Sequence, residues 1–242
     1  MIEDKVELSV VLPAYEEADN LRWLLPELRR ELGKLGADFE IIVADTETPK
    51  DETPAVCEAN GVVYAPRRGG SLYSHALKTG IELSRGRWVL CMDADGSHPP
   101  AFVRKMWEAR EKADLIVASR YVSGGGTENP AVLILMSYMV NLSFRLALGI
   151  KCRDISNSFR LYNGDALRGL RLECRNFDII EEIILKLSLR DRAFRILEIP
   201  FTFETRKAGR TKRDLLAFAV GYLRTLLRLR KLRTAASAER KD

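Results

Sequence analysis

Two carboxylates separated by one residue, Asp93-Ala94-Asp95, follow the apolar run 88–92. Just past the end of a strand, such a pair can turn toward one pocket and hold Mg²⁺ or Mn²⁺. These ions take hard oxygen ligands and keep substrate phosphates as further ligands. The same tripeptide also occurs as a solvated acidic turn, so its weight comes from its company. Pro13-Ala14-Tyr15-Glu16-Glu17 follows the first apolar run, Asp45 closes the second, and Ser97-His98-Pro99-Pro100 continues from the acidic pair. Ser119-Arg120-Tyr121 follows a further run and leads into Gly124-Gly125-Gly126. Later come Ser158-Phe159-Arg160-Leu161-Tyr162, Glu198-Ile199-Pro200-Phe201-Thr202-Phe203, and a basic stretch with Arg206, Gly209, Thr211 and Lys212. The fork of Arg120 suits phosphate oxygens; its other reading is a buried ion pair. His98, ahead of two prolines, is read as shaping the turn and bonding backbone, and His75 as structural. Glu181 and Glu182 are read as solvated helix charges, with the alternative that one orients an arginine.

Something must bring these clusters together, and hydrophobic periodicity supplies it. Residues 6–12, 39–44, 62–65, 88–92 and 115–119 read as buried strands, while 20–35, 53–60, 74–84 and 100–112 read as helices. Leu21, Leu24, Leu25, Leu28 and Leu32 mark one face of the first helix. This alternation predicts an α/β fold with a mostly parallel, doubly wound sheet and ligands at the carboxyl ends of its strands. The polar clusters fall at those ends. Beyond Gly126 the pattern predicts apolar helix over 130–150, helix over 177–189, and a strand over 196–203 whose Pro200 suggests an edge position. A helix over 214–232 and a polar, disordered tail from Thr234 complete the chain.

The chain has 242 residues, is 46% hydrophobic and carries a net charge of +5, which favours anionic partners. Its four cysteines form no C-x-x-C pair, which argues against zinc and redox motifs. The opening Met-Ile-Glu-Asp-Lys lacks the apolar core of a secretory signal. The longest uncharged apolar stretch, 130–144, falls short of a spanning helix. The expectation is a cytoplasmic protein bound peripherally to a membrane. The helix over 214–232 intersperses Leu215, Leu216, Phe218, Tyr222, Leu223, Leu226, Leu227 and Leu229 with Arg224, Arg228, Arg230 and Lys231. Such a basic amphipathic helix suits the bilayer interface; alternatively it packs on the domain or on a second copy in a homo-oligomer. Basic residues that cluster with leucine rather than with exposed aromatics argue against nucleic acid.

In their order and spacing the motifs resemble the family-2 glycosyltransferases, in particular the dolichol-phosphate mannose synthase group and its bacterial polyprenyl-phosphate relatives, over residues 8–212. The resemblance implies a GT-A fold over 1–212, with the basic helix 213–233 and the tail 234–242 appended. It further implies a UDP- or GDP-linked sugar donor, Mg²⁺ or Mn²⁺, a polyprenyl-phosphate acceptor, and inversion at the anomeric carbon. By position, Pro13, Tyr15 and Glu17 correspond to the nucleoside-binding wall and Asp45 to a base-contacting acid. Asp93 corresponds to a ribose or metal contact, Asp95 to the principal metal ligand, Ser97 to a metal-facing position, and Arg120 to an acceptor-phosphate arginine. Arg206 and Lys212 correspond to a basic loop closing over the donor phosphates. The chain departs from the family at Asp45-Thr46-Glu47-Thr48, at Glu16 in place of asparagine, and at Arg67-Arg68-Gly69-Gly70-Ser71, which lacks a lysine. Residues 133–136 are apolar where relatives carry a second arginine.

A sugar-hydroxyl acceptor is the rival expectation. It requires a carboxylate base near the acceptor, and Asp154 is the residue to inspect. The Gln-x-x-Arg-Trp motif of processive relatives is absent, because the chain contains no glutamine.

Overall fold

A computed structural model of the chain describes residues 6–174, 178–204 and 215–238. Its centre is a seven-stranded sheet. β1 (Leu8–Pro13) is buried along its whole length and lies between β2 (Phe39–Asp45) and β4 (Trp88–Cys91), parallel to both. β3 (Val63–Pro66) pairs parallel with β2. Beyond β4 the strands are β7 (Arg160–Asn163), β5 (Leu115–Ser119) and, at the edge, β8 (Ile196–Pro200). Only β7 among the strands of this sheet runs antiparallel to its neighbours.

Side chains along a strand alternate between faces, and here both faces are covered. Val10 and Leu12 of β1, Leu90 of β4 and Ile116 of β5 join one core. That core includes α1 (Ala18–Gly33) and α4 (Phe102–Ala109), which a 3₁₀ turn at Arg110–Lys112 extends. Val11, Val89 and Val117 point the other way, into a second core with α3 (Tyr73–Leu83) and α7 (Ile179–Arg190). Two-sided burial is why these strands read as continuous apolar runs. α2 (Thr53–Ala59) links β2 to β3, and α6 (Gly164–Arg168) follows β7.

Several elements differ from the sequence reading, which gave no counterpart to α6 or to β6 (Gly126–Thr127). β7 carried no strand signal. The run 196–203 divides at Phe201: β8 ends at Pro200 on the sheet edge, and β9 (Thr202–Phe203) forms a two-residue parallel ladder with β6. α8 (Leu215–Ala238) continues past Thr234, where a disordered tail was expected. It packs on α5 (Ala131–Leu148) and α7, burying Thr225 and Leu229.

α5 is not a core helix. Only Asn141, Phe144 and Leu148 are buried, while Val132 is 69% exposed, Leu135 62% and Leu146 71%. With 18 residues and a mean hydropathy of 1.7 it is long and apolar enough to cross a membrane, more than the sequence reading allowed.

Candidate active site

The strand order creates a crevice. The chain runs from β1 outward through β2 to β3, then returns to place β4 on the other side of β1. At such a reversal the loops leaving the carboxyl ends of adjacent strands diverge and leave room for a ligand. Pro13 at the end of β1 is buried, and Tyr15 beyond it is 39% exposed on the rim. Glu17 accepts a hydrogen bond from the Asn20 amide at 2.5 Å. Asp45 closes β2 almost fully buried, and neither carboxylate oxygen has a hydrogen-bond partner among the described residues. Burial pushes its carboxyl above the usual carboxylate range. Arg67, within the basic glycine-rich stretch, is a buried strut: Nε donates to the Asp45 carbonyl at 3.0 Å, Nη2 to that of Ala14 at 2.8 Å and Nη1 to that of Ser71 at 2.6 Å. Its guanidinium lies 5.9 Å from the Tyr15 ring centroid. Sequence reasoning assigned Arg67 no such duty.

Asp93 and Asp95 follow β4, both half-buried. Ser158 donates to Asp93 Oδ1 at 2.9 Å, and Ser97 donates to Asp95 Oδ1 through Oγ at 2.6 Å and through its N–H at 3.0 Å. Ser97, expected to face a metal, is fully buried with its hydroxyl on Asp95. His98 is fully buried, stacks on Phe159 with centroids 4.6 Å apart, and accepts the Asp93 N–H at Nδ1 at 2.9 Å. Burial lowers its pKa, so the ring is neutral and braces the turn. Among the described residues no three His, Cys, Asp or Glu side chains gather around one point. Two oriented carboxylates with hard oxygens nevertheless fit Mg²⁺ or Mn²⁺, which take one or two carboxylates and complete their shell with water and substrate phosphate.

β7 brings the next group in. Because it is antiparallel, it begins where its neighbours end, so the loop 154–158 before it lies at the carboxyl edge with the loops after β4 and β5. Arg120, past the end of β5, meets Asp154 there. Nε donates to Oδ2 at 2.8 Å, Nη2 to Oδ1 at 2.6 Å, and the Arg120 N–H to Oδ2 at 2.8 Å. The Arg120 side chain is 11% exposed and that of Asp154 fully buried. Burial works against the charged guanidinium, but the Asp154 carboxylate more than offsets it and holds the arginine charged. Nη1 makes no hydrogen bond among the described residues. Arg120 is thus both an ion-pair member and a donor with one amino group to spare among the described residues. Asp154, the candidate base of the rival expectation, is fully committed. Glu198 of β8 steadies the same loop, accepting the Ser119 hydroxyl at 2.7 Å and the N–H groups of Arg153 and Asp154 at 2.8 and 3.0 Å.

Glu181 and Glu182 correct an expectation, because neither is solvated. Glu182 accepts three backbone N–H bonds from Glu173 and Cys174 and pairs with Lys186 at 2.8 Å. Glu181 is fully buried, neither oxygen has a hydrogen-bond partner among the described residues, and burial pushes its carboxyl up to about 8. α7 turns this flank inward beneath Arg160, which is itself fully buried and donates to the carbonyls of Ile180, Asp154 and Ile155. Arg160 thereby positions the loop that carries Asp154. Arg206 and Lys212 lie outside the described residues. All four cysteines are buried and free.

A doubly wound sheet with carboxylates beside its crevice and a caged arginine at the same edge is a GT-A fold, the Rossmann-like frame of nucleotide-sugar transferases. The chain belongs to glycosyl transferase family 2, whose model matches residues 9–171. Dolichol-phosphate mannosyltransferase of Pyrococcus furiosus is 31% identical over 235 residues, covering 93% of this chain. The alignment takes in 64% of that relative, so the chain spans less than two thirds of its length. Undecaprenyl-phosphate mannosyltransferase of Micrococcus luteus is 30% identical over 220 residues, covering 86% of this chain and 87% of the relative. In structure the chain is similar to glucosyl-3-phosphoglycerate synthase of Mycobacterium tuberculosis in complex with Mn²⁺, UDP and glucosyl-3-phosphoglycerate. The TM-score is 0.69 at 19% identity, over 93% of this chain and 80% of that one. That likeness concerns the fold.

Proposed function

We propose that this chain transfers a sugar from a UDP- or GDP-linked donor to a polyprenyl phosphate at the cytoplasmic face of a membrane, with inversion at the anomeric carbon. The observation that carries the reading is the meeting of the Asp93–Asp95 turn and Arg120 at one sheet edge, beside the exposed apolar helix α5. The two mannosyltransferases to which the chain is similar are named for polyprenyl-phosphate acceptors.

The residues divide the work. Asp45, buried and with no hydrogen-bond partner for either carboxylate oxygen among the described residues, is suited to accept the N–H groups of a nucleobase, and Tyr15 forms the rim beside it. Asp93 and Asp95, held by Ser158 and Ser97, would hold the divalent cation. That cation supplies charge to offset the departing nucleoside diphosphate. Arg120 offers Nη1 to the acceptor phosphate while Asp154 fixes its orientation. One phosphate oxygen attacks the anomeric carbon as the bond to the diphosphate oxygen breaks. A phosphate monoester is already ionised near neutral pH, so no base is required, which agrees with the commitment of Asp154 to Arg120. Arg206 and Lys212 are assigned to the leaving diphosphate on sequence grounds.

Purified protein with Mn²⁺ is expected to move labelled sugar from a nucleotide donor into organic-phase polyprenyl phosphate. It is also expected to gain thermal stability from that nucleotide-sugar, as any ligand of the native state confers by mass action. Asp95→Ala should lose most of that gain. Folded protein that transfers to no polyprenyl phosphate from any common donor would end the proposal.

A further inference from the structure

α5 lacks an arginine at 133–136, yet farther along it the chain provides another. Tyr138, Asn141, Leu142 and Arg145 recur at three- and four-residue spacing and so share a helix face. With Tyr121 and Arg153 they line a cleft of about 280 Å³. Neither the Arg145 nor the Arg153 side chain has an ion pair or hydrogen bond among the described residues, and both residues are exposed. Two guanidinium groups therefore line one small cleft with no carboxylate among its described lining residues. The carboxylates of this region are taken, Asp154 by Arg120 and Glu198 by Ser119 and loop backbone.

The cleft is joined to Arg120. Ser156 Oγ accepts from Arg120 Nη2 at 3.1 Å and from Asn141 Nδ2 at 3.0 Å, and the Ser156 N–H donates to Asn141 Oδ1 at 2.9 Å. Tyr121, next in sequence to Arg120, packs edge-on against Tyr138 with centroids 5.9 Å apart. Its hydroxyl is buried and makes no hydrogen bond among the described residues. The cleft thus has two cations, an orphaned buried hydroxyl and a route to Arg120. Its volume lies just below that of pockets that enclose whole drug-sized ligands, which suits a headgroup with its chain left outside. Leu135 and Met139, exposed on the same helix, offer that chain an apolar path.

We propose that Arg145 and Arg153 form an anion clamp for the phosphate of the lipid acceptor, in place of the arginine missing from 133–136. This rests on the polyprenyl-phosphate reading above and names the residues that would set acceptor affinity. The test measures KM for polyprenyl phosphate, KM for the donor and kcat in Arg145→Ala, Arg153→Ala and the corresponding lysine variants. Arg104→Ala on α4, from an exposed pair with Glu108, serves as control. Each alanine variant is expected to raise KM for the lipid by about tenfold, the worth of one hydrogen bond to a charged group. Donor KM and kcat stay in place, and lysine recovers part of the loss. An unchanged lipid KM in both alanine variants, with transfer intact, overturns the clamp and leaves the proposed function standing. Wild-type protein that transfers only to other acceptors overturns both. Vesicles of phosphatidylglycerol that compete with the lipid acceptor on wild type, but not on the alanine variants, would assign the pair to bulk phospholipid and overturn the clamp.

Discussion

Asp154 shows how far one carboxylate can be committed. It meets Arg120 through two side-chain bonds and one backbone bond with no exposure of its own. Removing one partner of such a pair leaves the other charge buried and uncompensated, at a cost of about 3–5 kcal/mol. Asp154→Ala should lose stability of that size in denaturant unfolding, whereas Asp154→Asn should stay folded and lose lipid affinity before kcat. A role as general base would instead appear as loss of kcat with an altered pH profile. Glu181 gives a residue-scale prediction of a different kind. Its folded carboxyl is raised to about 8 from an ordinary value of 4.5, so between those pH values the folded chain holds a proton that the unfolded chain has released. Stability from this group is full below 4.5 and declines as pH rises toward 8. Glu181→Gln mimics the protonated state. Unfolding followed from pH 5 to pH 8 should show the wild type losing stability relative to this variant, on the order of a few kcal/mol.

At the scale of elements, the glycines after β5 set where Arg120 begins. A Cβ on Gly125 would lie 2.4 Å from the Ser119 carbonyl oxygen and 2.9 Å from that of Arg120. Gly125→Ala must push this turn away from Asp154, as overpacking of about 1–3 kcal/mol. The expected outcome is a raised KM for the lipid with the nucleotide-sugar thermal shift preserved, because the donor side hangs on β1, β2 and β4. The elements also show what the sequence could reveal. β1, β4 and β5 are buried on both faces and announce themselves as apolar runs. β7 is four residues long and starts with a fully buried arginine, so hydropathy had nothing to register. α5 is apolar around most of its circumference, and periodicity alone could not tell a core helix from an exposed one. Ile-Ile-Glu-Glu-Ile-Ile at the start of α7 resembles a wetted flank, yet the fold places it beneath Arg160. Asp93, Asp95 and Arg120 could be singled out as candidates from the sequence because few residue types do that chemistry. The bond between Arg120 and Asp154 exists only once two distant loops converge, so spacing could not reveal it.

The whole molecule has one greasy, basic side. α5 leaves Val132, Leu135, Met139 and Leu146 exposed, and α8 leaves Leu223 59% and Leu227 53% exposed near Arg224, Arg230 and Lys231. A groove of about 710 Å³ between them is lined by Leu146, Arg230 and Arg233. α8 therefore docks one stripe on the domain and keeps leucines free on another. Basic residues near an anionic surface contribute about 1 kcal/mol each and are screened by salt. The protein should co-sediment with vesicles containing phosphatidylglycerol, release partly as salt rises, and bind less after Leu135→Glu. Neutral and anionic vesicles binding equally at all salt concentrations would remove the basic contribution. A last consequence follows from the reversed strand. β7 separates β4 from β5, so the turns bearing Asp93 and Arg120 rise from strands two ladder intervals apart, about 10 Å. Backbone pairing sets that interval, and no side-chain replacement can shorten it. Under the proposed reading the sheet is a spacer that holds the departing diphosphate and the incoming phosphate on opposite sides of one anomeric carbon.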